Sequence, residues 1–344
     1  MRSKSGLIFA FSVILLAGAM ILALPAFSYL PELTGTGSPQ NNRWSFSAFQ
    51  VQWNLNSSTT GAKIFGTRTV QQVIQASFAT WIAAPNASIQ LTQGANSPVT
   101  DENASPSNIN LICFICTGAG FTTNDGTLAV TITTTADTVG QADGHGGTAQ
   151  FVGQIIKSDI IFNPNPTGLC FITSSSANCS AAGDTKQDLQ TVATHEIGHF
   201  FGLDHSGVVR ATMYPFAPDV ETTLSWDDVA GLSLLYPKTP ADVATGSITG
   251  KITNSSAAGV FGAHVFANST TTANPYVSFP SIRKSPIGTL TVTDGSYTIS
   301  GVPPDSYQVI AEPLDLPVTD SDVSGYASAF NRASVQIGFA TRWH

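Results

Sequence analysis

Three histidines and one glutamate lie within residues 195–206, which read HEIGHFFGLDHS. If His195 and His199 share a helix, four residues advance the chain by about 400°, so both imidazoles project from one face. That spacing suits two ligands of a tetrahedral zinc ion. Gly202 permits a sharp turn after the helix, and the turn returns His205 to the metal as third ligand, with a fourth position left for water.

Glu196 directly follows the first of these histidines. A carboxylate at that position is close to the metal without ligating it, and it can take a proton from water and pass it to a leaving amine. Three of the six histidines of the chain fall in this short run, which disfavours a chance match. The residue types therefore predict zinc-assisted hydrolysis, with Glu196 as the general base.

The elements that must position these side chains include both strand and helix patterns. Apolar residues at period two predict strands, and apolar residues at helical spacing predict helices, with Trp81 as a core residue. The predicted strands are 42–56, 109–116, 127–134 and 155–162, and the predicted helices are 67–82, 184–202 and 225–235. Asp184 or Thr185 is the expected N-cap of the second helix, and Ser225 that of the third. We expect an α+β domain over residues 29–237.

A different pattern follows a linker at residues 238–246. Strand signals recur between residues 247 and 314 without a helical period, which predicts a small all-β module. Residues 315–344 are unassigned, and their strand-like end suggests an incomplete β element.

The N-terminus predicts export. Arg2 and Lys4 precede an apolar run, and small residues before Tyr29 resemble a signal-peptidase site, so residues 1–28 are predicted to be a signal peptide. An uncleaved membrane anchor is the alternative. Both interpretations place the rest of the chain outside the cytoplasm, secreted or extracytoplasmic.

Four cysteines, an even number, favour disulfides in an exported protein. Cys170 and Cys179 enclose a short loop and could bridge easily, whereas Cys113 and Cys116 have the CxxC spacing that zinc knuckles and redox motifs share. No second CxxC completes a zinc set, so we expect structural disulfides and leave the pairing open.

The charge balance excludes one class of partner. Only 10% of residues are charged and the net charge is −8, and the sequence has no block of Lys and Arg that could neutralise a phosphate backbone. Nucleic-acid binding is not expected. The oligomeric state is not readable from the sequence.

Residues 195–206 resemble the metzincin signature HExxHxxGxxH, and Ser206 after the third histidine resembles the matrixin family. The resemblance extends over about residues 43–237. It implies a twisted mixed sheet with long helices, a zinc helix, and a Met-turn in ATMYP (211–215), with Met213 as an apolar floor under the histidines. It also implies that Tyr214 and Pro215 line the pocket for the side chain after the scissile bond.

The family's additional metal sites are not matched in this sequence. The strand that carries a structural-zinc histidine in the family has Ile161 here, and the following calcium segment reads Asn163-Pro164-Asn165. Asp143 and His145 echo part of such a site, although a lone histidine in a glycine-rich loop is more often simply solvated. We predict one catalytic zinc and leave calcium open as unsupported.

Residues 247–314 resemble a carboxypeptidase regulatory-like, transthyretin-like β-sandwich through GSITGKIT, AGVFGAHVFA and TDGSYTISGVPPDSYQVIAE. No cluster of acids, histidines or nucleophiles lies in this region, so a stabilising or spacing role is favoured over a specific binding role.

These features predict an exported zinc metalloendopeptidase that acts on proteins or peptides, with cell-surface or matrix association as an open question. Phe200, Phe201 and Tyr214 suggest an apolar site. The main alternative is a catalytically silent extracellular adhesion or binding protein that uses the zinc-bearing fold as a platform. A metal-bearing structural protein is a third hypothesis. The presence of Glu196 argues against a catalytically silent site, because a site that has lost its activity often loses this residue first.

Overall fold

The computed structural model describes residues 30–35, 39–121, 126–181, 183–216, 220–323 and 325–343. The predicted signal peptide at residues 1–28 and the small residues before Tyr29 lie outside the described residues. No helix within the described ranges is long and apolar enough to cross a bilayer.

Among the described residues, eight strands and three α-helices make up the first two thirds of the chain, with the helices near their predicted positions. In chain order they are β1 (Val51–Asn56), β2 (Ile64–Phe65), α1 (Val70–Ile82), β3 (Leu91–Gln93), β4 (Asn110–Cys113), β5 (Ala129–Thr135), β6 (Ile155–Phe162), β7 (Leu169–Ile172), β8 (Thr185–Asp188), α2 (Leu189–Phe200) and α3 (Trp226–Leu235).

Five strands form a mixed sheet in the order β3–β1–β4–β6–β5. All neighbours are parallel except β5, which pairs antiparallel with β6 at one edge of the sheet. β6 has the sequence IIKSDIIF, and its side chains are buried on both faces because both faces of the sheet are covered there. The mixed sheet and its helices agree with the α+β class expected from the sequence.

The first strand is shorter than predicted. Residues 42–50 alternate apolar and polar side chains, yet the strand begins only at Val51. A turn in which the N–H of Ala48 donates to the carbonyl of Ser45 interrupts the extended chain. Arg43 forms only an isolated bridge with Gln154. The alternation there reflects side-chain burial in loops, with Trp44 only 2% exposed.

The second helix also begins later than predicted, and neither Asp184 nor Thr185 caps it. Residues Thr185–Asp188 pair in parallel with β7, so their backbone groups belong to a sheet. Asp188 is the N-cap, and its carboxylate accepts the N–H of Thr191 at 2.8 Å. The helix therefore starts only after Asp188, because the preceding residues pair with β7.

Helices α1 and α3 start with reciprocal caps. Thr69 and Gln72 form a capping box at α1, and Ser225 and Asp228 form one at α3, which confirms the predicted cap at Ser225. Gly202 follows the end of α2 in a left-handed conformation, with φ of +86°. A side chain there would also meet the carbonyl oxygen of Asn42 at 2.1 Å, so a glycine is required.

Two buried tryptophans join α2 to the core. The indole N–H of Trp81 donates to the carbonyl of Thr194 at 2.7 Å, and that of Trp44 donates to Phe200 at 2.8 Å. Trp81 is fully buried, so its prediction as a core residue is confirmed. Because both carbonyls belong to α2, the tryptophans hold this helix in a fixed position against the core.

The four cysteines form two disulfides, Cys113–Cys116 at the end of β4 and Cys170–Cys179 at β7. The structure thus supplies the pairing that the sequence leaves open. Both cysteines of the CxxC pair are buried, which fits a structural role.

The remaining elements are mostly strands: β9 (Gly246–Lys251), β10 (His264–Ser269), β11 (Ile287–Leu290), β12 (Ser296–Val302), β13 (Tyr307–Glu312), α4 (Tyr326–Ala329) and β14 (Arg342–Trp343). Four of them form a sheet in the order β11–β10–β13–β14, and β9 pairs with β12. Helix α3 packs against β11 and β12. The assignment of residues 247–314 to a regulatory-like sandwich, and the other domain boundaries, stay predictions.

Candidate metal centre

The three histidines of the sequence motif converge in space. His195 and His199 lie one turn apart on α2, and the turn at Gly202 returns the chain so that His205 faces them. One ligand atom from each histidine lies within 4.8 Å of the others. These three residues are the one group within the described ranges whose side chains could hold a metal ion.

Backbone carbonyls orient all three imidazoles in the same way. Nδ1 of His195 lies 2.8 Å from the carbonyl oxygen of Thr212, and Nδ1 of His199 lies 2.7 Å from that of Leu203. Nδ1 of His205 faces the carbonyl oxygen of Asp322. A carbonyl can only accept, so each Nδ1 carries the proton and each Nε2 presents a lone pair.

The lone pairs point toward one another. Nε2 of His199 and Nε2 of His205 are 3.3 Å apart, too close for two unshared lone pairs unless a cation lies between them. Burial lowers the pKa of His195 to about 3 and also lowers the pKa values of His199 and His205, so the rings are neutral. Three neutral imidazoles with free Nε2 atoms are a donor set that fits zinc.

Glu196 lies beside the histidines and outside the ligand group. Its side chain is 7% exposed, and its Oε2 accepts the hydroxyl of Thr131 at 2.6 Å. Burial raises the pKa of Glu196 to about 7, and the Thr131 hydrogen bond lowers it. A carboxyl group with a pKa near neutrality can accept and release a proton at physiological pH.

Met213 packs against α2, the helix that carries His195 and His199. Its side chain is fully buried and contacts α2 at Gly198. A Cβ at Gly198 would lie 2.1 Å from the sulfur of Met213, so only glycine admits the methionine here. The role of Gly198 is not apparent from the sequence, since glycine within a helix usually signals only a local destabilisation.

Two adjacent aspartates of α3 hold the loops that carry the site. The carboxylate of Asp228 accepts the N–H groups of Thr212 at 2.9 Å and Met213 at 3.2 Å. The carboxylate of Asp227 accepts the hydroxyl of Ser206 at 2.6 Å. From the sequence alone, these aspartates are acidic residues in the first turn of a helix, where the helix dipole favours negative charge. Their full burial, which the sequence does not reveal, marks the additional role.

A cavity of about 460 Å³ opens beside His195 and Glu196. Tyr214 and Pro215 line it, together with the apolar side chains Leu128, Val192 and Phe216. The carboxylate of Glu221 also lines it and pairs with Arg283.

The predicted contribution of Phe200 and Phe201 to an apolar site is wrong. Both rings are fully buried and pack against Phe78 in the core. Phe200 is the last residue of α2 and Phe201 is its C-cap, and both point away from the metal ligands because they follow His199 by one and two positions.

The glycine-rich loop with Asp143 and His145 is held by internal contacts. The carboxylate of Asp143 accepts the N–H groups of His145 at 2.8 Å and Gly147 at 2.9 Å. The imidazole of His145 stacks on Phe49, with ring centroids 3.9 Å apart. Both side chains therefore form contacts within the protein, so His145 is not simply solvated. Ile161 is fully buried in β6.

A family model and several known proteins match part of this chain. Residues 121–237 match the family model of the matrixins, Peptidase_M10. The chain is 34% identical over 125 residues to Metalloendoproteinase 2-MMP of Arabidopsis thaliana, covering 33% of this chain and 32% of that protein. It is 47% identical over 55 residues to Metalloendoproteinase 1 of Glycine max, 15% of this chain and 18% of that protein.

A bacterial protein is also similar. The chain is 47% identical over 49 residues to Karilysin of Tannerella forsythia, 14% of this chain and 10% of that protein. The matched segments therefore span about a third or less of the length of these relatives.

Proposed function

On the premise that this chain carries a matrixin-like zinc metallopeptidase domain, we propose that it is an exported metalloendopeptidase that hydrolyses peptide bonds within proteins or peptides. His195, His199 and His205 are the proposed zinc ligands, and Glu196 is the proposed general base. Met213 forms the apolar floor of the site. Tyr214 and Pro215 form part of the pocket for the side chain that follows the scissile bond.

One observation carries this proposal. Three imidazoles converge beside a cavity that His195 and His205 line, and Glu196, whose pKa burial raises to about 7, lines the same cavity. A purely structural zinc site is usually closed by four protein ligands, whereas a catalytic site keeps one position open. The described residues offer three ligands and an adjacent acid–base group.

Bound zinc supplies a Lewis acid that acidifies a water molecule and polarises the scissile carbonyl. The carboxylate of Glu196 accepts the proton of the attacking water and then delivers it to the leaving nitrogen, so that an acid and an amine are formed. The hydroxyl of Thr131 restrains this carboxylate while it exchanges the proton. The carbonyls of Thr212, Leu203 and Asp322 keep the three imidazoles in the ligating tautomer.

The edge strand β5 is the proposed platform for the substrate backbone. β5 pairs on one side with β6 and lies last in the sheet order, so among the described residues no strand pairs with its other edge, which can bind an extended peptide. Thr131 of β5 contacts Glu196, which places this edge next to the site of proton transfer. A peptide added to β5 would pass the cavity lined by Tyr214 and Pro215.

Export is supported by the N-terminal sequence and by the two disulfides, since disulfides persist outside the reducing cytoplasm. We assign residues 1–28 to a signal peptide, 29–237 to the peptidase domain, 238–246 to a linker and 247–314 to a regulatory-like sandwich. Residues 315–344 have no domain assignment.

Cleavage of casein by residues 29–344, with bound metal quantified on the same sample, tests the proposal. We expect about one zinc per chain. Cleavage should be abolished by a chelator. Glu196→Gln should retain zinc and the shape of the side chain while losing cleavage.

Glu102→Gln is the matched control, because it makes the same change to a carboxylate in the short turn Glu102–Ala104, outside the cavity, and should retain proteolysis. If zinc is bound stoichiometrically but no protein or peptide library is cut, the proposal fails, and the adhesion or binding-platform alternative takes its place.

A further inference from the structure

The third histidine differs from the other two in the origin of its orienting carbonyl. Thr212 and Leu203, which orient His195 and His199, lie within 17 residues of their partners. Asp322, which orients His205, follows it by 117 residues and lies beyond the last long strand of the C-terminal region. One ligand of the metal centre thus depends on a segment outside the matrixin match.

The carbonyl of Asp322 is held in place by a tight turn. The carboxylate of Asp322 accepts both the N–H and the hydroxyl of Thr319, each at 2.8 Å, and the N–H of Asp322 donates back to the carbonyl of Thr319 at 3.0 Å. These three bonds close a 3-10 turn over Asp320–Asp322. The turn fixes the direction in which the backbone carbonyl points.

An apolar cluster anchors the same turn to the rest of the molecule. Val323 is fully buried and packs in a cluster with Leu290 and Val292 of the C-terminal region. Leu30, whose carbonyl accepts the N–H of Asp204 next to His205, belongs to that cluster as well. The turn and the metal-binding loop are therefore held by one set of packed side chains.

We propose that Thr319–Val323 is a positioning element of the metal centre, in which the Asp322 carbonyl holds the His205 imidazole in the Nδ1–H tautomer and aims its Nε2 at the metal. The inference rests on the proposed zinc site. Groups that orient a ligating histidine typically contribute about 10- to 100-fold to metal affinity. The C-terminal region is then part of the site and not only a spacer.

Three substitutions test the positioning role in residues 29–344. Asp322→Ala removes the acceptor of both Thr319 donors and frees the carbonyl, whereas Asp322→Asn removes the charge and keeps an acceptor. Leu316→Ala is the matched control, since Leu316 is 82% exposed and lies shortly before Thr319 in the chain. Zinc affinity is measured by competition with a chelator, and thermal unfolding is measured on the metal-free proteins.

We expect zinc binding to weaken by about 10- to 100-fold in Asp322→Ala, with little change in Asp322→Asn or Leu316→Ala. Equal losses in the Ala and Asn variants would assign the effect to charge and overturn the proposal. Unchanged affinity in Asp322→Ala would overturn it as well.

A second measurement holds even if Asp322→Ala lowers stability. The tautomers of the three histidines are read from long-range 15N–1H spectra of the metal-free folded proteins. Parent His205 should carry its proton on Nδ1, and Asp322→Ala should shift only His205 toward a mixture, with His195 and His199 as internal references. A parent His205 with the proton on Nε2, or an unchanged tautomer in the variant, contradicts the proposal.

These readouts do not require proteolysis. A parent that binds zinc and cleaves nothing would refute the proposed function while the affinity and tautomer comparisons still decide the role of Asp322.

Discussion

The hydroxyl of Thr131 lies 2.6 Å from Oε2 of Glu196, so the edge strand of the main sheet contacts the carboxylate next to the metal ligands. This hydrogen bond lowers the pKa of Glu196, against the larger effect of burial that raises it to about 7. The strand proposed to bind the substrate backbone and the base proposed to act on it are therefore in direct contact.

Replacing Thr131 with valine should raise the pKa of Glu196, because the carboxylate loses a donor that stabilises its charged form. A general base must be ionised, so activity falls as the pH drops through this pKa. The acid limb of the kcat/KM profile should move to higher pH by about one unit, while the plateau at higher pH changes little. Thr133→Val is the control, since Thr133 faces Ser158 at 3.0 Å and not Glu196. An equal shift in both variants would argue against the specific contact.

Gly198→Ala should destabilise the metal-free protein by about 1–3 kcal/mol, since a buried methyl group has no room beside Met213. The new Cβ would lie 2.1 Å from the Met213 sulfur and 2.9 Å from Trp81. Denaturant unfolding measures the loss. In the double variant Gly198→Ala/Met213→Ala the total loss should be smaller than the sum of the single losses, because the cavity left by Met213 accepts the methyl group. Additive losses would show that the two side chains do not compete for space.

Asp228→Ala should cost on the order of 3 kcal/mol or more, because it leaves the buried N–H groups of Thr212, Met213 and Ser225 without an acceptor. Zinc binding should weaken too, since the carbonyl of Thr212 orients His195. Asp228→Asn keeps one acceptor oxygen and should lose less. Thermal unfolding and chelator competition measure both effects.

Ser233→Ala is the control on the same helix. The hydroxyl of Ser233 donates to the carbonyl of Val229 within the helix, so its loss should leave stability and zinc affinity nearly unchanged. Zinc affinity that survives in Asp228→Ala would show that Thr212 keeps its position without this carboxylate.

Arg283→Ala should disturb the pocket wall, because Arg283 of the C-terminal region bridges the two ends of the loop that carries Tyr214. Its guanidinium donates to the carbonyl of Arg210 at 2.7 Å and to that of Thr223 at 2.7 Å, and it pairs with Glu221. We expect KM to rise about ten-fold, equivalent to about 1.4 kcal/mol, with a smaller change in kcat. Cleavage-site profiling should show a broader preference for the residue after the scissile bond.

Arg283→Lys keeps the charge but not the planar fork of donors, so its KM should be intermediate. Lys284→Ala removes the adjacent exposed cation and serves as the control. If the Arg283→Ala and Lys284→Ala variants have the same KM, the loop does not depend on this guanidinium.

The sequence by itself determined the centre of the site. His195, Glu196 and His199 follow from the 3.6-residue period of a helix, and Gly202 and His205 from the turn that must follow it. The helix start at Ser225 and the burial of Trp81 were equally predictable, since caps and apolar periodicity are local properties. Local spacing failed at the start of α2, where pairing of Thr185–Asp188 with β7 outweighed the helical pattern.

Only the tertiary structure decided which groups surround that centre. Thr131 is 65 residues from Glu196, Asp322 is 117 residues from His205, and Arg283 is 60 residues from Thr223. No period along the chain encodes such contacts, because they depend on how the edge strand and the C-terminal region pack against the zinc helix. The spacing that brings the three histidines together is therefore encoded locally along the chain. Their orientation, the pKa of Glu196 and the shape of the pocket arise from packing between distant segments.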